Sequence, residues 1–143
     1  MKLFLDTSTL IKLYFKEEGT IELDKVLANY TITKIFLSEV SKVEFFSAIY
    51  KKARTGSLTL QNVHDILDAF IADEEKYTFI PIEAEIINLA KSLIEKHGIE
   101  GLRTLDAIQL ATACIVSQSI DIALTNDKLL NLFLVSENIK TSV

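Results

Sequence analysis

A chain of 143 residues with 49% hydrophobic and 24% charged side chains is long enough to bury one core and too apolar to remain disordered. Its net charge of −5 and pI near 5.0 exclude the broad basic surface by which non-specific nucleic-acid binders grip phosphate, so any such contact must come from local basic patches or a metal. A lone cysteine, Cys114, excludes an internal disulfide and fits a reducing, cytoplasmic compartment, with a buried inert thiol as the expectation.

In chain order, Lys2–Leu5 is a short apolar strand ending at Asp6, and Leu10, Ile11, Leu13, Tyr14 and Phe15 read as a helix before Gly19. The charges at Asp6 and Lys12, and the lack of a small-residue cleavage site, argue against reading this start as a signal peptide. A helix over Ile21–Asn29 and a strand over Ile35–Leu37 follow. Val40–Arg54 has helical spacing and stops near Gly56; another helix covers Leu60–Glu75. Thr78–Ile80 reads as an edge strand before Pro81, and Ile82–His97 as a helix closed by Gly98. Leu105, Ile108, Ala111, Thr112 and Ile115 recur at helical spacing, with Thr104 or a neighbour as cap. Ile120–Leu124 is a buried strand, Asn126–Leu134 a short helix and Asn138–Ser142 a last strand. Strands alternating with helices in this way predict an α/β fold, a mainly parallel sheet of four to five strands covered by helices, in a single domain over residues 1–143.

No apolar run is long enough to span a bilayer. Mean hydropathy of +0.28 is high for a soluble monomer, which predicts apolar surface covered by a second copy or a partner.

Asp6 and Asp127 each follow a strand, and Asp106 lies at a helix start. In open α/β sheets ligands bind beyond the carboxyl ends of strands. Glu44 sits one turn into the helix after Ile35–Leu37. Each acid also has an ordinary explanation. Asp6 suits a helix cap, Ser41-Lys42-Val43-Glu44 matches a capping box, Asp106 suits a helix dipole and a pair with Arg103, and Asp127 suits a first turn. As a set, carboxylates about 5 Å apart repel by roughly 3 kcal/mol per pair at an effective dielectric of 20. If the fold gathers them, a cation must neutralise them or some must protonate. An oxygen-only set, with no Cys/His cluster, selects magnesium or manganese over zinc. Such an ion supports hydrolysis of phosphodiesters.

The segments LDTSTLIKLY, SEVSKVEFFSAIYKK, LRTLDAIQLATA and ALTNDKLL, in this order and at these separations, resemble PIN domains of the VapC toxin type from Lys2 to about Leu134. The resemblance implies a PIN-like fold, magnesium- or manganese-dependent cleavage of RNA, and a small cognate antitoxin as partner. It implies Asp6, Glu44 and Asp106 as the main catalytic and metal-binding carboxylates, Asp127 as a fourth acting through water, and Thr7, Thr125 and Ser8 as supports. Gln109 departs from the family, since many relatives carry histidine there.

Lys51, Lys52 and Arg54 form the densest basic cluster, with Arg103 and Lys128 nearer the acids; these are the candidate RNA contacts, although a helix C-terminus favours cations without any ligand. His64 and His97 read as solvent-facing or helix-end residues. Phe45, Phe46, Tyr50 and Phe70 have core spacing, and family analogy places a homodimer mate or antitoxin helix on that apolar surface. Two other readings stay open. One is a phosphatase with Asp6 as nucleophile, weakened because Ser8 stands where a second aspartate is required. The other is a non-catalytic protein-interaction domain whose acids are only caps.

Overall fold

The computed structural model describes residues 1–141. Four short strands, β1 (Lys2–Leu5), β2 (Lys34–Ser38), β3 (Thr78–Ile80) and β4 (Ile122–Leu124), pair in the order β3-β2-β1-β4, all parallel. Seven α-helices connect them: α1 (Thr7–Leu10), α2 (Thr20–Asn29), α3 (Ser41–Arg54), α4 (Leu60–Asp73), α5 (Ala84–His97), α6 (Thr104–Ile115) and α7 (Lys128–Ser136).

The strands are apolar runs because both faces of the sheet are covered, as a parallel sheet requires. Alternation along the pleat divides them between two cores. Phe4, Phe36 and Ala123 face α5, α6 and α7. Leu3, Leu5, Leu37 and Ile122 face α1, α3 and α4. In the second core Phe45 and Phe70 stack with centroids 4.2 Å apart, and Tyr14 meets both edge-on at 5.3 and 5.8 Å. The Tyr14 hydroxyl donates to Asp73 at 2.8 Å and lies 2.5 Å from that of Tyr77.

Topology positions the site. The chain steps outward from β1 to β2 to β3 and then returns to lay β4 on the other side of β1, with Leu3 opposite Ile122 and Leu5 opposite Leu124. The direction of winding therefore reverses between β1 and β4, and at such a switch point the connections diverge and leave a crevice at the carboxyl ends of the strands. Asp6 immediately follows β1, and Asp127 caps the helix after β4.

Several boundaries differ from the sequence reading. The first helix is one α-turn continuing as a 3₁₀ turn over Ile11–Leu13, so Phe15 lies outside it. α5 begins at Ala84 and α7 at Lys128, later than expected, and the last strand does not form over Asn138–Thr141. Asn138 takes a left-handed turn with φ of 62°, while Ser142, the end of that expected strand, lies outside the described residues. Gly98 stays right-handed and leads into a 3₁₀ turn; the reversal comes at Gly101, with φ of 111°. The cap of α6 is Arg103, the neighbour of Thr104 and within the expected position, though it makes no side-chain cap bond.

His97 ends α5, as one of its two expected placements had it, but is buried rather than solvent-facing, with Nε2 2.9 Å from Glu137, which pairs with Lys96 at 2.7 Å. Cys114 is half-buried rather than buried as expected, and burial raises its thiol to about 11. Among the described residues no helix is long and apolar enough to cross a membrane. Val43, Leu60, Ile71, Leu132 and Val135 leave much of their apolar surface exposed, in line with the high mean hydropathy.

Phe70→Ala removes one ring of the stacked pair from a fully enclosed position. Urea denaturation should show a loss of about 3–5 kcal/mol; a loss below about 1 kcal/mol would contradict the role of that stack in the core.

Candidate functional site

Asp6 is 5% exposed and does cap α1, with Oδ1 accepting the Thr9 N–H at 3.0 Å. A cap uses one oxygen and needs no burial. Here the Thr125 hydroxyl donates to Oδ2 at 2.6 Å, and the Ser8 hydroxyl lies 2.8 and 2.9 Å from the two oxygens. Burial raises the Asp6 carboxyl above its ordinary range, opposed by the bonds from Thr125, Thr9 and Ser8. The same hydroxyls accept backbone N–H groups of the next segment, Ser8 from Asn126 at 3.1 Å and Thr125 from Asp127 at 3.0 Å. The loops after β1 and β4 are thus laced together across the crevice.

Asp127 also caps its helix, taking the Leu130 N–H at 2.9 Å, and is exposed. Asp106 is different. It lies in the first turn of α6, half-buried, and makes no hydrogen bond or ion pair among the described residues, the expected pair with Arg103 included. Burial raises its carboxyl first, and the charges of Asp127 and Asp6 raise it further, against the weaker pull of Arg103. Three acids from β1, α6 and the start of α7 therefore share one electrostatic field.

Glu44 departs from its capping-box reading. The cap of α3 is Val40, without a side-chain bond, and the buried Ser41 hydroxyl turns instead to Thr7 at 2.9 Å. Glu44 Oε1 accepts from the Thr7 hydroxyl at 2.9 Å and from Gln109 Nε2 at 2.9 Å. Thr7 therefore supports Glu44, whereas Thr125 and Ser8 support Asp6. Gln109 and Ser41 escaped the sequence reading as members of this network. The available signal was an amide next to the buried residues Ala107, Leu110 and Ala111 of α6.

The basic candidates separate. Lys51 is exposed and shares a cleft with Glu44, Val43 and Leu105, and Lys128 shares one with Asp127, Thr125 and Asn126. Lys52 is committed to Glu17 at 2.7 Å and lies over the Phe15 ring at 4.3 Å. Arg54 is exposed at the end of α3, and Arg103 is exposed beside α6. Sequence reading passed over Lys12, which is buried, bonds Glu17 at 3.0 Å, and lines a cleft with Lys51, Lys52, Ser8 and Asn126.

Among the described residues no three Asp, Glu, His or Cys side chains stand close enough to cage a metal by themselves. Magnesium seldom asks for such a cage; it takes one or two carboxylates and keeps its waters for substrate phosphate. The mutual repulsion felt at Asp106, and a donor set made only of oxygens, fit a hard divalent cation and offer nothing to a soft one.

The sequence matches the PIN domain family over residues 3–132. Among solved structures the fold is similar to VapC20 of Mycobacterium tuberculosis, a sarcin–ricin-loop-cleaving toxin, at 15% identity and a TM-score of 0.68, covering 91% of this chain and 93% of that one. It is also similar to a toxin–antitoxin complex from Klebsiella pneumoniae, at 19% identity and a TM-score of 0.61 over 87% and 86% of the two chains. VapBC2 of Rickettsia felis, bound to a DNA fragment from its promoter, matches at 16% identity and a TM-score of 0.62 over 99% and 98%. No curated protein sequence matches significantly.

The raised carboxyl of Asp106 fixes the sign of a pH effect. The folded chain holds that proton more tightly than the unfolded chain, so its stabilising contribution is complete in acid and is lost as pH rises through the folded value. In chelator-treated protein, Asp106→Asn should therefore melt higher than wild type at neutral pH, and the gap should close toward pH 4. A variant that melts lower than wild type at pH 7 would show that the charge is not strained.

Proposed function

The chain belongs to the PIN-domain family, and from that premise we propose that it is a magnesium- or manganese-dependent endoribonuclease, the toxin of a VapBC-type toxin–antitoxin pair. One observation carries the reading: Asp106 bears an unpaired carboxylate under the repulsion of Asp6 and Asp127, at the switch point where the sheet opens. A purely structural acid in a first helical turn would turn outward or find a cation.

Each side chain has a distinct task. Asp6 is held rigid by Ser8, Thr9 and Thr125, so it is a fixed anchor. Asp106 has no protein partner and is free to take a ligand. Glu44 keeps one oxygen on Thr7 and Gln109 and has the other uncommitted among the described residues. Asp127, exposed and engaged through Oδ1 in its cap, acts at longer range through water. A hard divalent ion, when bound, lowers the pKa of a coordinated water and steadies phosphate oxygens. Lys51 and Lys128, the exposed lysines in clefts beside the acids, are suited to the flanking phosphates of an RNA strand, with Arg103 adding positive charge near Asp106. Because the chain carries −5 overall, its hold on RNA should depend steeply on the cation.

The partner is a small antitoxin, and a second copy forms a homodimer, both drawing on exposed apolar residues such as Val43, Phe46, Tyr50 and Leu60. Two of the similar structures, a toxin–antitoxin complex and VapBC2, support the antitoxin as partner. An aspartyl-phosphatase reading is disfavoured, since Ser8, whose hydroxyl lies 2.8 Å from Asp6 Oδ1, stands where that chemistry needs a second aspartate.

Two measurements test the proposal. Manganese at about a hundredfold excess over its dissociation constant adds about 2.7 kcal/mol to the native state, so it should raise the Tm of wild type and raise that of Asp106→Asn far less. With a panel of transfer, ribosomal and messenger RNAs, Asp6→Asn and Asp106→Asn should lower kcat by about a hundredfold or more. Wild-type cleavage in both folded variants would refute the assignment.

A further inference from the structure

Gln109 is 3% exposed, and its side-chain nitrogen lies 2.9 Å from Glu44 Oε1, 3.0 Å from Ser41 Oγ and 3.1 Å from Thr7 Oγ1. Chemistry fixes the sense of the amide, because turning it over would press a carbonyl oxygen against a carboxylate oxygen. One N–H serves Glu44 and the other a hydroxyl. Thr7 donates to the same Glu44 oxygen, so the Ser41 hydroxyl can complete the ring by donating to Thr7. Every polar hydrogen of the cluster then runs toward Oε1. The arrangement leaves the Gln109 carbonyl oxygen buried with no partner. A buried carbonyl without a donor is destabilising, so its presence marks an amide held for what its nitrogen does.

We propose that Gln109 is a positioning residue for metal-dependent cleavage. It fixes Glu44 through Oε1 and leaves Oε2, which makes no hydrogen bond among the described residues, as the oxygen open to a ligand. Thr7 and Ser41 transmit the same constraint from α1 and α3, so three elements converge on one carboxylate. The inference rests on the ribonuclease reading above, and it concerns a residue outside the four acids. Groups that orient a ligating side chain typically alter metal affinity by about 10–100-fold when removed.

The test compares wild type, Gln109→Leu and Gln109→His by melting in chelator, by the rise in Tm on titrating manganese alone, and by kcat and KM on an RNA that wild type cleaves. Gln109→Leu removes the donor and the orphan carbonyl together, so it should fold with a metal-free Tm at or near that of wild type. Its manganese affinity and kcat should each fall by about tenfold or more, with KM for RNA little changed. Gln109→His, which restores one N–H, should recover much of both. Gln109→Leu with wild-type manganese affinity and kcat overturns the positioning role and leaves the ribonuclease reading intact, as does a folded histidine variant no better than the leucine one. A wild type that neither responds to manganese nor cleaves RNA overturns the ribonuclease reading, and the positioning role with it. Should Gln109→Leu fail to fold, Gln109→Glu keeps the shape while setting a carboxylate against Glu44, and wild-type manganese affinity in that folded variant overturns the role.

Discussion

The parallel pairing of β1 with β4 is the constraint on which the rest depends. It places residues 5 and 124 opposite one another although 119 positions separate them in the chain, and so brings the two following loops side by side at the switch point. Once there, the loops are fastened by short polar side chains rather than by apolar packing. Thr125 and Ser8 each donate to Asp6 and each accept a backbone N–H from the loop after β4. Asp6 is the hub of that lacing, which is why a carboxylate so deeply buried is tolerated: its charge is met by hydroxyl and amide donors as water is withdrawn.

Around this hub the acids play unequal parts. Asp6 and Asp127 satisfy orphan N–H groups at helix starts, a use that any soluble fold would make of them. Asp106 does not, and no other group among the described residues takes its place as partner. The charge there is left exposed to repulsion from its neighbours, a cost that folding alone gives no reason to bear. Glu44 is the reverse case, tightly held by Thr7 and Gln109, with Gln109 left unsatisfied at its other end. Both departures from local contentment fall on the same edge of the sheet, where function and stability most often conflict.

Much of the fold was legible because it is written in local pattern. The apolar runs of the strands, the helical spacing of α3 to α6 and the turn signals between them need only neighbours in sequence to be read. The misreadings have local causes of another kind. Ser41-Lys42-Val43-Glu44 has the spacing of a capping box, yet the Ser41 hydroxyl is drawn to Thr7, 34 positions away. His97 stands at the helix end as expected, yet it is buried rather than solvent-facing, with Nε2 2.9 Å from Glu137, 40 positions away. In each case the side chain meets a partner distant in the chain.

By itself the sequence determined the order and kind of the elements as far as α7, a mainly parallel sheet covered on both faces, and, through its motifs, the four acids to look for, since each of these follows from spacing along the chain and the residue types standing there. It did not determine which acids are content as caps and which are strained, nor that Gln109 and Thr7 serve Glu44 while Thr125 and Ser8 serve Asp6. Those distinctions depend on which side chains meet across β1, β2 and β4 and on how much water is excluded there. Burial and opposing charges arise only when distant segments pack, so only the tertiary structure could decide them.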